Sequence, residues 1–278
     1  MQADLDYLRP RMMSVAYRML GTVADAEDAV QDAYLRLQTA DEVASPEGFL
    51  IKVTTRRCID HLRVRNRTEY IGPWVPEPID TPARDSAIAD SLSQAFLLLL
   101  ERLTPDERAA LLLRTVFDYE YAEIAEVVDK PEATVRQLVS RARRRLGLEE
   151  RRFRGDPHRA GELAEQFLAA CRLGDVKAVE DLLAQDIEVH SDGGGKITAA
   201  RVVLREPARV ARFLAGIFRK HSSSEIRHTM VNGEPGLVFT SDGNVIQVMS
   251  IAIENGIRGI YITRNPDKLT RWSTVEVD

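Results

Sequence analysis

The residues best equipped for chemistry in this 278-residue chain form a cationic run just after Thr134, namely Arg136, Gln137, Ser140, Arg141, Arg143, Arg144 and Arg145. Guanidiniums suit both bidentate contacts to guanine edges and ionic contacts to phosphates, so the run points to DNA. The chain as a whole carries a net charge of -5, which makes this a placed footprint and not the side effect of a basic protein. A second cationic stretch follows Phe49 and exposes Lys52, Arg56, Arg57, Asp60, His61, Arg63, Arg65 and Arg67 between apolar positions. Farther on, Asp186, His190 and Asp192, with His228 on a later strand, pair carboxylates with imidazoles, as a general acid–base site requires. His190 and Asp192 share a face only through two-residue alternation, however, and no second catalytic set accompanies them. Cys58 and Cys171 stand far apart, so neither a disulfide framework nor a metal cluster is expected, and a reducing, cytoplasmic setting fits.

Helices must present the cations. Tyr121, Ile124, Ala125, Val127 and Val128 predict a short amphipathic helix, Asp129-Lys130-Pro131 breaks it, and Val135, Leu138, Val139, Ala142 and Leu146 form the apolar side of the next. That is helix-turn-helix spacing. Asp129 occupies a break where glycine is common, but aspartate also visits the required turn geometry. Upstream, helices are predicted near Leu8–Leu20, through ADAEDAVQDAYLRLQ, and from Pro46 onward, where proline suits the first helical position. The middle one has an apolar side of Ala26, Ala29, Val30, Ala33, Tyr34 and Leu37 and an acidic side of Glu27, Asp28, Gln31, Asp32 and Arg36. An acidic face followed by a basic helix suggests a protein partner for the first and nucleic acid for the second. Residues 70–85, rich in proline, read as an extended linker in which Trp74 is too large and apolar to be left in water. Helices resume from Asp90, and Thr104-Pro105-Asp106-Glu107 is a capped helix start.

Beyond Gly155-Asp156-Pro157 the periodicity changes. Two helices, Ala160–Ala170 and Val176–Leu183, precede alternating runs at Ile187–His190, Ile197–Leu204, Gly236–Phe239, Val245–Ile253 and Ile257–Tyr261, with one helix at Pro207–Phe218 among them. Turn signals at Asn232-Gly233, Asp242-Gly243 and Asn255-Gly256 predict hairpins, so the expected shape is an α+β cone with helices on one side of an antiparallel sheet. Such a fold makes a pocket and leaves room for an unidentified small ligand. No cofactor is implied. The first ten residues lack a basic-then-apolar leader pattern and no segment approaches the ~20 apolar residues of a membrane span, so secretion and membrane insertion are not expected.

The order of the acidic DAEDAVQDAYLR helix, the basic FLIKVTTRRCIDHLR helix, a linker and LTPDERAALLLRTVFDYEYAEIAEV with EATVRQLVSRARRRL resembles bacterial RNA polymerase sigma factors of the extracytoplasmic-function group. The segmentation of the last part resembles the SnoaL-like members of the nuclear-transport-factor-2 superfamily. Three further matches, Trp74-Val75-Pro76-Glu77-Pro78, Asp192-Gly193-Gly194-Gly195-Lys196 and Asn265-Pro266-Asp267-Lys268-Leu269, resemble the linker, DGGGK and NPDKL motifs of sigma factors that carry a SnoaL-like extension. Val75 replaces the usual leucine. The resemblance implies a multidomain chain: a sigma region 2 domain (1–70), a linker (71–89), a sigma region 4 helix-turn-helix domain (90–154) and a SnoaL-like cone (157–278).

By the same resemblance the chain binds core RNA polymerase through Asp28, Asp32 and Arg36, and promoter DNA near -10 through Arg56, Arg57, Asp60, His61 and Arg63. The -35 element falls to Thr134, Arg136, Gln137, Ser140, Arg141 and Arg144. Trp74, Pro76, Asp192, Gly193, Gly194, Gly195, Lys196, Asn265, Pro266, Asp267, Lys268 and Leu269 are implied to make regulatory contacts between cone and sigma core. Two alternatives stand beside this: a helix-turn-helix regulator that senses a ligand in the cone, and a cone-domain enzyme fused to a DNA-binding module.

Overall fold

The computed structural model describes residues 5–40, 42–65, 70–81, 91–147 and 157–272. The chain divides into two compact units, one of Met1–Glu69 with Leu97–Arg152 and one of Tyr70–Phe96 with Phe153–Asp278. The segment between the two helical portions of the first unit thus groups with the C-terminal part.

The first unit is all helical in its described elements. Helices α1 (Arg9–Leu20), α2 (Val23–Gln38) and α3 (Pro46–Arg65) bury Met12, Met19, Leu20, Val30, Leu50 and Ile51 between them. Thr22 caps α2 by accepting from the Asp25 N–H. After α4 (Gln94–Leu100), helix α5 (Pro105–Thr115) starts in a full capping box: Thr104 accepts from Glu107 N at 3.3 Å and Glu107 Oε2 accepts from Thr104 N at 3.1 Å. Helices α6 (Tyr121–Val128) and α7 (Glu132–Leu146) follow. Eight residues are too few for α6 to persist alone. It is held by burial of Ile124, Val127 and Val128, each worth about 1.5–3 kcal/mol. Asp129 ends it in the left-handed region, φ 56° and ψ 53°, and gives the turn its reversal.

The second unit opens its folded core with α8 (Pro157–Leu173) and α9 (Val176–Leu182), then β1 (Leu183–Asp192), α10 (Pro207–Lys220), β2 (Glu225–Val231), β3 (Glu234–Ser241), β4 (Asn244–Ile253) and β5 (Ile257–Thr263). The sheet order is β1-β5-β4-β3-β2. It is not antiparallel throughout, as the turn signals suggest: β1 pairs with β5 in parallel, because the chain crosses by α10 and returns as a meander whose last strand lies beside the first. The expected strand at Ile197–Leu204 is also absent. Gly193 O accepts from the N–H groups of Lys196 and Ile197 in a turn that carries the chain off the sheet, and only Leu204 returns, as a single bridge to Val189. Strand β2 escapes the alternation pattern because four of its residues are only half-buried. The hairpin turns hold: Asn232 and Gly233 at φ 54° and 78°, and Asp242 and Gly243 at 51° and 74°, both have the two positive φ values of a type I′ turn.

The two sheet faces are buried by different partners. Val189, Leu237, Phe239, Met249, Ile251, Ile260 and Ile262 form one core with residues of α8, α9 and α10. Opposite, Val231, Val238 and Val248 cluster with Leu269 and Trp272. The residues between Tyr70 and Thr81 finish that second face. They are extended but not free: Asp80 bridges Val231 antiparallel, Thr81 N donates to Met230 O at 3.1 Å, and Asn232 N donates to Ile79 O at 2.9 Å. The linker therefore lines the exposed edge of β2 and leaves fewer bare backbone groups there.

Candidate nucleic-acid interface and linker cradle

On α7 the residues pointing away from the core divide into held and unheld. Arg136 pairs with Glu132 at 2.6 Å and lies over the Tyr121 ring at 4.2 Å. Arg145 and Arg141 reach Glu107 at 2.8 and 3.8 Å, and Glu107, only 3% exposed, is thereby the buried anchor for that side of the helix. Gln137, Ser140, Arg143 and Arg144 are exposed and have no side-chain partner among the described residues. Thr134 is half-buried in the first turn, its N–H on Pro131 O at 2.9 Å. The unheld part of this face is thus narrower than the cationic run, and Arg143 belongs to it as well as Arg144.

On α3 the basic side chains meet groups of their own unit. Arg56 Nε donates to Val127 O at 2.9 Å, at the carbonyl end of α6, and its guanidinium lies 3.7 Å from Asp129. Arg63 pairs with Asp60 at 3.2 Å and Asp106 at 3.4 Å, Arg57 pairs with Asp32 at 2.5 Å, and His61 lies 3.8 Å from Asp25. Helix-end carbonyls and carboxylates of the same unit thus hold these guanidiniums. Along α2, Asp28 and Arg36 are exposed, Asp32 is half-buried in its Arg57 pair, and Leu35, 52% exposed, sits among them as an apolar contact that charge patterning alone does not single out.

The second unit concentrates its polar chemistry on Asp192, which is 1% exposed at the end of β1. Its Oδ1 accepts from Tyr70 Oη at 2.7 Å and Gly194 N at 2.8 Å, and its Oδ2 accepts from Val75 N at 3.0 Å and Lys268 Nζ at 2.7 Å. Every oxygen direction of the carboxylate is used, as a buried anion requires. Lys268 also donates to Val75 O, and its ammonium lies 4.5 Å from the Trp74 ring centre and 5.3 Å from that of Tyr70. Trp74 is accordingly only half-buried and covers a cation, while Val75, Pro76 and Pro78 go under completely.

The glycine loop makes this approach possible. Gly194 has φ +61°, and a Cβ there would fall 2.4 Å from the Asn265 side chain, while one on Gly193 would meet Ile197 O at 2.0 Å. Gly195 lies against Ile71 of the linker. Asn265 Nδ2 donates to Tyr70 Oη at 3.3 Å and Asn265 Oδ1 accepts from Asp267 N at 3.1 Å, which fixes the terminal turn that Pro266 begins and buried Leu269 ends. Outside the cradle, Lys196 and Asp267 form an exposed pair at 2.6 Å. Residues that sequence motifs leave out complete the grip. Gln94 Nε2 donates to Pro76 O at 2.9 Å and its Oε1 accepts from Ser250 at 2.6 Å, Asn232 takes Ile79 N at 3.0 Å, and Trp272 Nε1 donates to Pro78 O at 2.9 Å. Asn232 carries only its turn signal in the sequence; Gln94 and Ser250 carry none.

The acid–base set does not come together. Asp192 is consumed by the cradle, Asp186 pairs with Arg258, His190 pairs with Glu188 at 3.2 Å and stacks on Tyr261, and His228 is exposed on β2, at the other edge of the sheet from β1. Burial lowers the pKa of His190 against the raising effect of Glu188. Both thiols are buried and unpaired, with burial pushing Cys171 up to about 12 and Cys58 upward too, so they stay protonated and unreactive. Among the described residues no group of three His, Cys, Asp or Glu is placed to hold a metal, and no helix is long and apolar enough to cross a membrane.

Comparison with known proteins finds both sigma regions in the chain. Residues 5–68 match the Sigma-70 region 2 family and residues 93–146 the Sigma-70, region 4 family. The chain is 35% identical to ECF RNA polymerase sigma factor SigJ of Mycobacterium tuberculosis over 96% of this chain and 93% of that protein, and 29% identical to the probable ECF sigma factor SigI of the same species over 94% and 92%. Its structure resembles the crystal structure of M. tuberculosis SigJ with a TM-score of 0.79 at 33% identity, covering 97% of this chain and 98% of that one. With both sigma-70 regions in order, a SnoaL-like mixed-sheet unit after them and end-to-end similarity at this level, the chain belongs to the ECF RNA polymerase sigma factors, which direct the polymerase to promoters.

Proposed function

We propose that this sigma factor is controlled in cis by its C-terminal unit, which holds the segment joining the two sigma regions. The observation that carries the reading is Asp192, a fully buried carboxylate on the cone whose four hydrogen bonds include two from the linker, at Tyr70 and Val75. A linker fixed along twelve residues restricts the separations its flanking regions can adopt, and a sigma factor must hold two promoter elements at a set spacing. Releasing the linker widens that range.

The site assignments follow from the same reading. The -35 element is read from α7 by Gln137, Ser140 and Arg144 with Thr134, Arg136 and Arg141 in support. The upstream part of -10 is met by Arg56, Arg57, His61 and Arg63 once phosphates displace their present carboxylate and carbonyl partners, with Asp60 then able to accept from a base amino group, and Asp28, Asp32 and Arg36 engage core polymerase. The cone acts as a regulator and not as a catalyst, because its expected acid–base set is dispersed: Asp192, Asp186 and His190 have separate partners, and His228 lies at the other edge of the sheet. The protein works beside the polymerase in the cytoplasm.

The test is reconstitution with core enzyme on a promoter of known spacing. Asp192→Asn is expected to leave core binding intact and to change the tolerance of initiation to altered -10/-35 spacing. Truncation after Arg154 is expected to remove that control altogether. A spacing profile identical in wild type, Asp192→Asn and the truncated protein would reject cis control while leaving the sigma assignment untouched.

A further inference from the structure

Helix α10, on the cone, carries a charge pattern that neither the sigma regions nor the linker cradle uses. Its sequence, PARVARFLAGIFRK, contains three arginines, one lysine and no acid. Val210, Ala211, Leu214 and Phe218 are buried against the sheet, and Arg209, Arg212, Arg219 and Lys220 are exposed. At about 100° per residue these four cations and Gly216 fall within roughly 100° of one another around the helix and extend over about 16 Å of its axis.

Three observations separate this stripe from an ordinary solvated face. Among the described residues none of the four side chains has a hydrogen bond or ion pair, whereas Arg11, Arg57, Arg63, Arg114, Arg136, Arg145, Arg205 and Arg258 all have acidic partners. The neighbouring helices of the same layer carry mixed charge, with exposed Glu162 and Glu165 beside Arg172 on α8 and an Asp181–Lys177 pair on α9. The placement also runs against local stability at one of the four cations. Arg219 and Lys220 complement the helix C-terminus, but Arg209 stands in the first turn, where the helix dipole favours acids and this helix has none.

We propose that this stripe is a third DNA contact, which binds the sugar-phosphate backbone of promoter duplex without reading its sequence. The chemistry favours a polyanion over a protein surface. Protein interfaces centre on apolar or aromatic anchors, and no large hydrophobic side chain of α10 is among the exposed ones. The acidic side of α2, with Leu35 open among carboxylates, has the protein-binding composition instead. Arginine predominates in the stripe, and its planar fork suits phosphate oxygens. A length of about 16 Å spans several phosphates of one strand at ~3.4 Å of rise each. The proposal rests on the chain acting at promoters, which the sigma family assignment supplies.

The test uses full-length protein assembled with core polymerase on a promoter fragment, with binding measured from about 50 to 200 mM salt. Arg209→Gln, Arg212→Gln, Arg219→Gln and Lys220→Gln combined is expected to make the slope of log K against log salt shallower by about 3 to 4, because each neutralised phosphate contributes about 0.9. The same loss of affinity is expected on a fragment with a scrambled -35 element. A charge-preserving set, Arg209→Lys, Arg212→Lys and Arg219→Lys, should keep the wild-type slope, and the double Arg209→Gln, Arg212→Gln variant should lose about half the difference. An unchanged slope in a variant whose melting curve is unaltered would overturn the proposal, as would weakened core-polymerase binding at unchanged slope. Open-complex formation by the wild-type holoenzyme in the same assay verifies the sigma reading independently of either result.

Discussion

On α7, Arg136 meets Glu132 at 2.6 Å with side chains 59% and 44% exposed, whereas Lys268 meets Asp192 at 2.7 Å with side chains 6% and 0% exposed. Water screens the first kind of pair, which is worth about 0–1 kcal/mol and is readily exchanged for a phosphate. The second kind is costly to break, because either partner left alone is an uncompensated charge in a dry site. An exposed cation of α7 such as Arg136 is therefore easily exchanged, and the cradle keeps its linker. The same two side-chain chemistries thus make an exchangeable pair at the surface and a retained one in the interior.

The sharpest way to break that comparison is Asp192→Asn. Lys268 would lose its counter-charge, and Tyr70, Val75 and Gly194 would face an amide that cannot accept from all of them. A loss of about 3–5 kcal/mol in the stability of the second unit is expected by denaturant unfolding, with new protease cleavage between residues 70 and 81. Replacing both partners, Asp192→Asn with Lys268→Met, should recover part of the loss, since no buried charge remains. A single variant as stable and protease-resistant as wild type would show that the pair does not hold the linker.

Next in size is Gly194→Ala. The position combines φ +61° with a Cβ that would fall 2.4 Å from Asn265, so about 1–2 kcal/mol of backbone strain adds to displacement of the Asn265 amide from Tyr70 and Asp267. Gly174→Ala is the control: its φ is +70° but nothing lies within 4 Å of the added methyl. If the two variants melt alike, the loop's close approach contributes nothing and only its backbone conformation counts.

On the exposed side of the comparison, Gln137, Ser140 and Arg144 should each lose about 1–3 kcal/mol of promoter discrimination as alanine if they read base edges. Arg136→Ala and Arg141→Ala should lose less discrimination, because both guanidiniums are already oriented by Glu132 and Glu107. Competition binding between promoter and scrambled -35 fragments measures this ranking. Equal effects at all five positions would mean that the internal pairs dissolve on DNA.

Much of this arrangement was legible in the residues. The helix-turn-helix followed from apolar spacing and the Asp129 break, because local periodicity decides a helix. Hairpin turns followed from Asn-Gly and Asp-Gly, whose left-handed backbone is a local property. The parallel β1–β5 pair was not legible, since strand order depends on where a distant meander returns. Nor was the placement of the linker: residues 70–81 lack period because they line a sheet edge and fill one apolar face, so their contacts include Asn232, Lys268 and Trp272, more than 150 positions away. The acid–base set failed for a related reason. Asp192 and His190 are two apart in sequence, but only tertiary structure decides that the first is spent on Tyr70, Val75 and Lys268.

The glycine motif contains its own small control. Lys196 closes the stretch that Asp192 opens, yet its pair with Asp267 is 55% and 63% exposed. Lys196→Ala should cost no more than about 1 kcal/mol and should leave the linker protected from protease. A larger loss, or cleavage like that expected for Asp192→Asn, would show that exposure is a poor guide to which contacts retain the linker.

The finest prediction concerns pH. Burial lowers the pKa of His190, with Arg205 acting in the same direction and Glu188 opposing, and burial together with Arg264 and Lys220 lowers that of His221. Both rings are thus harder to protonate in the folded cone than in the unfolded chain, whose histidines titrate near 6.5. Above that pH both states are neutral and no cost arises. As pH falls through about 6.5 the unfolded state gains protons first, so stability of the second unit declines, and it levels once the folded rings are protonated too. Denaturant midpoints between pH 7.5 and 5 should therefore fall for wild type and fall less for His190→Gln, with His221→Gln removing a further part; the pH values here are about those bracketing the histidine range. Stability that rises toward pH 5 would mean that Glu188 outweighs burial, and that His190 belongs with the exchangeable pairs of the helical unit and not with the retained ones of the cradle.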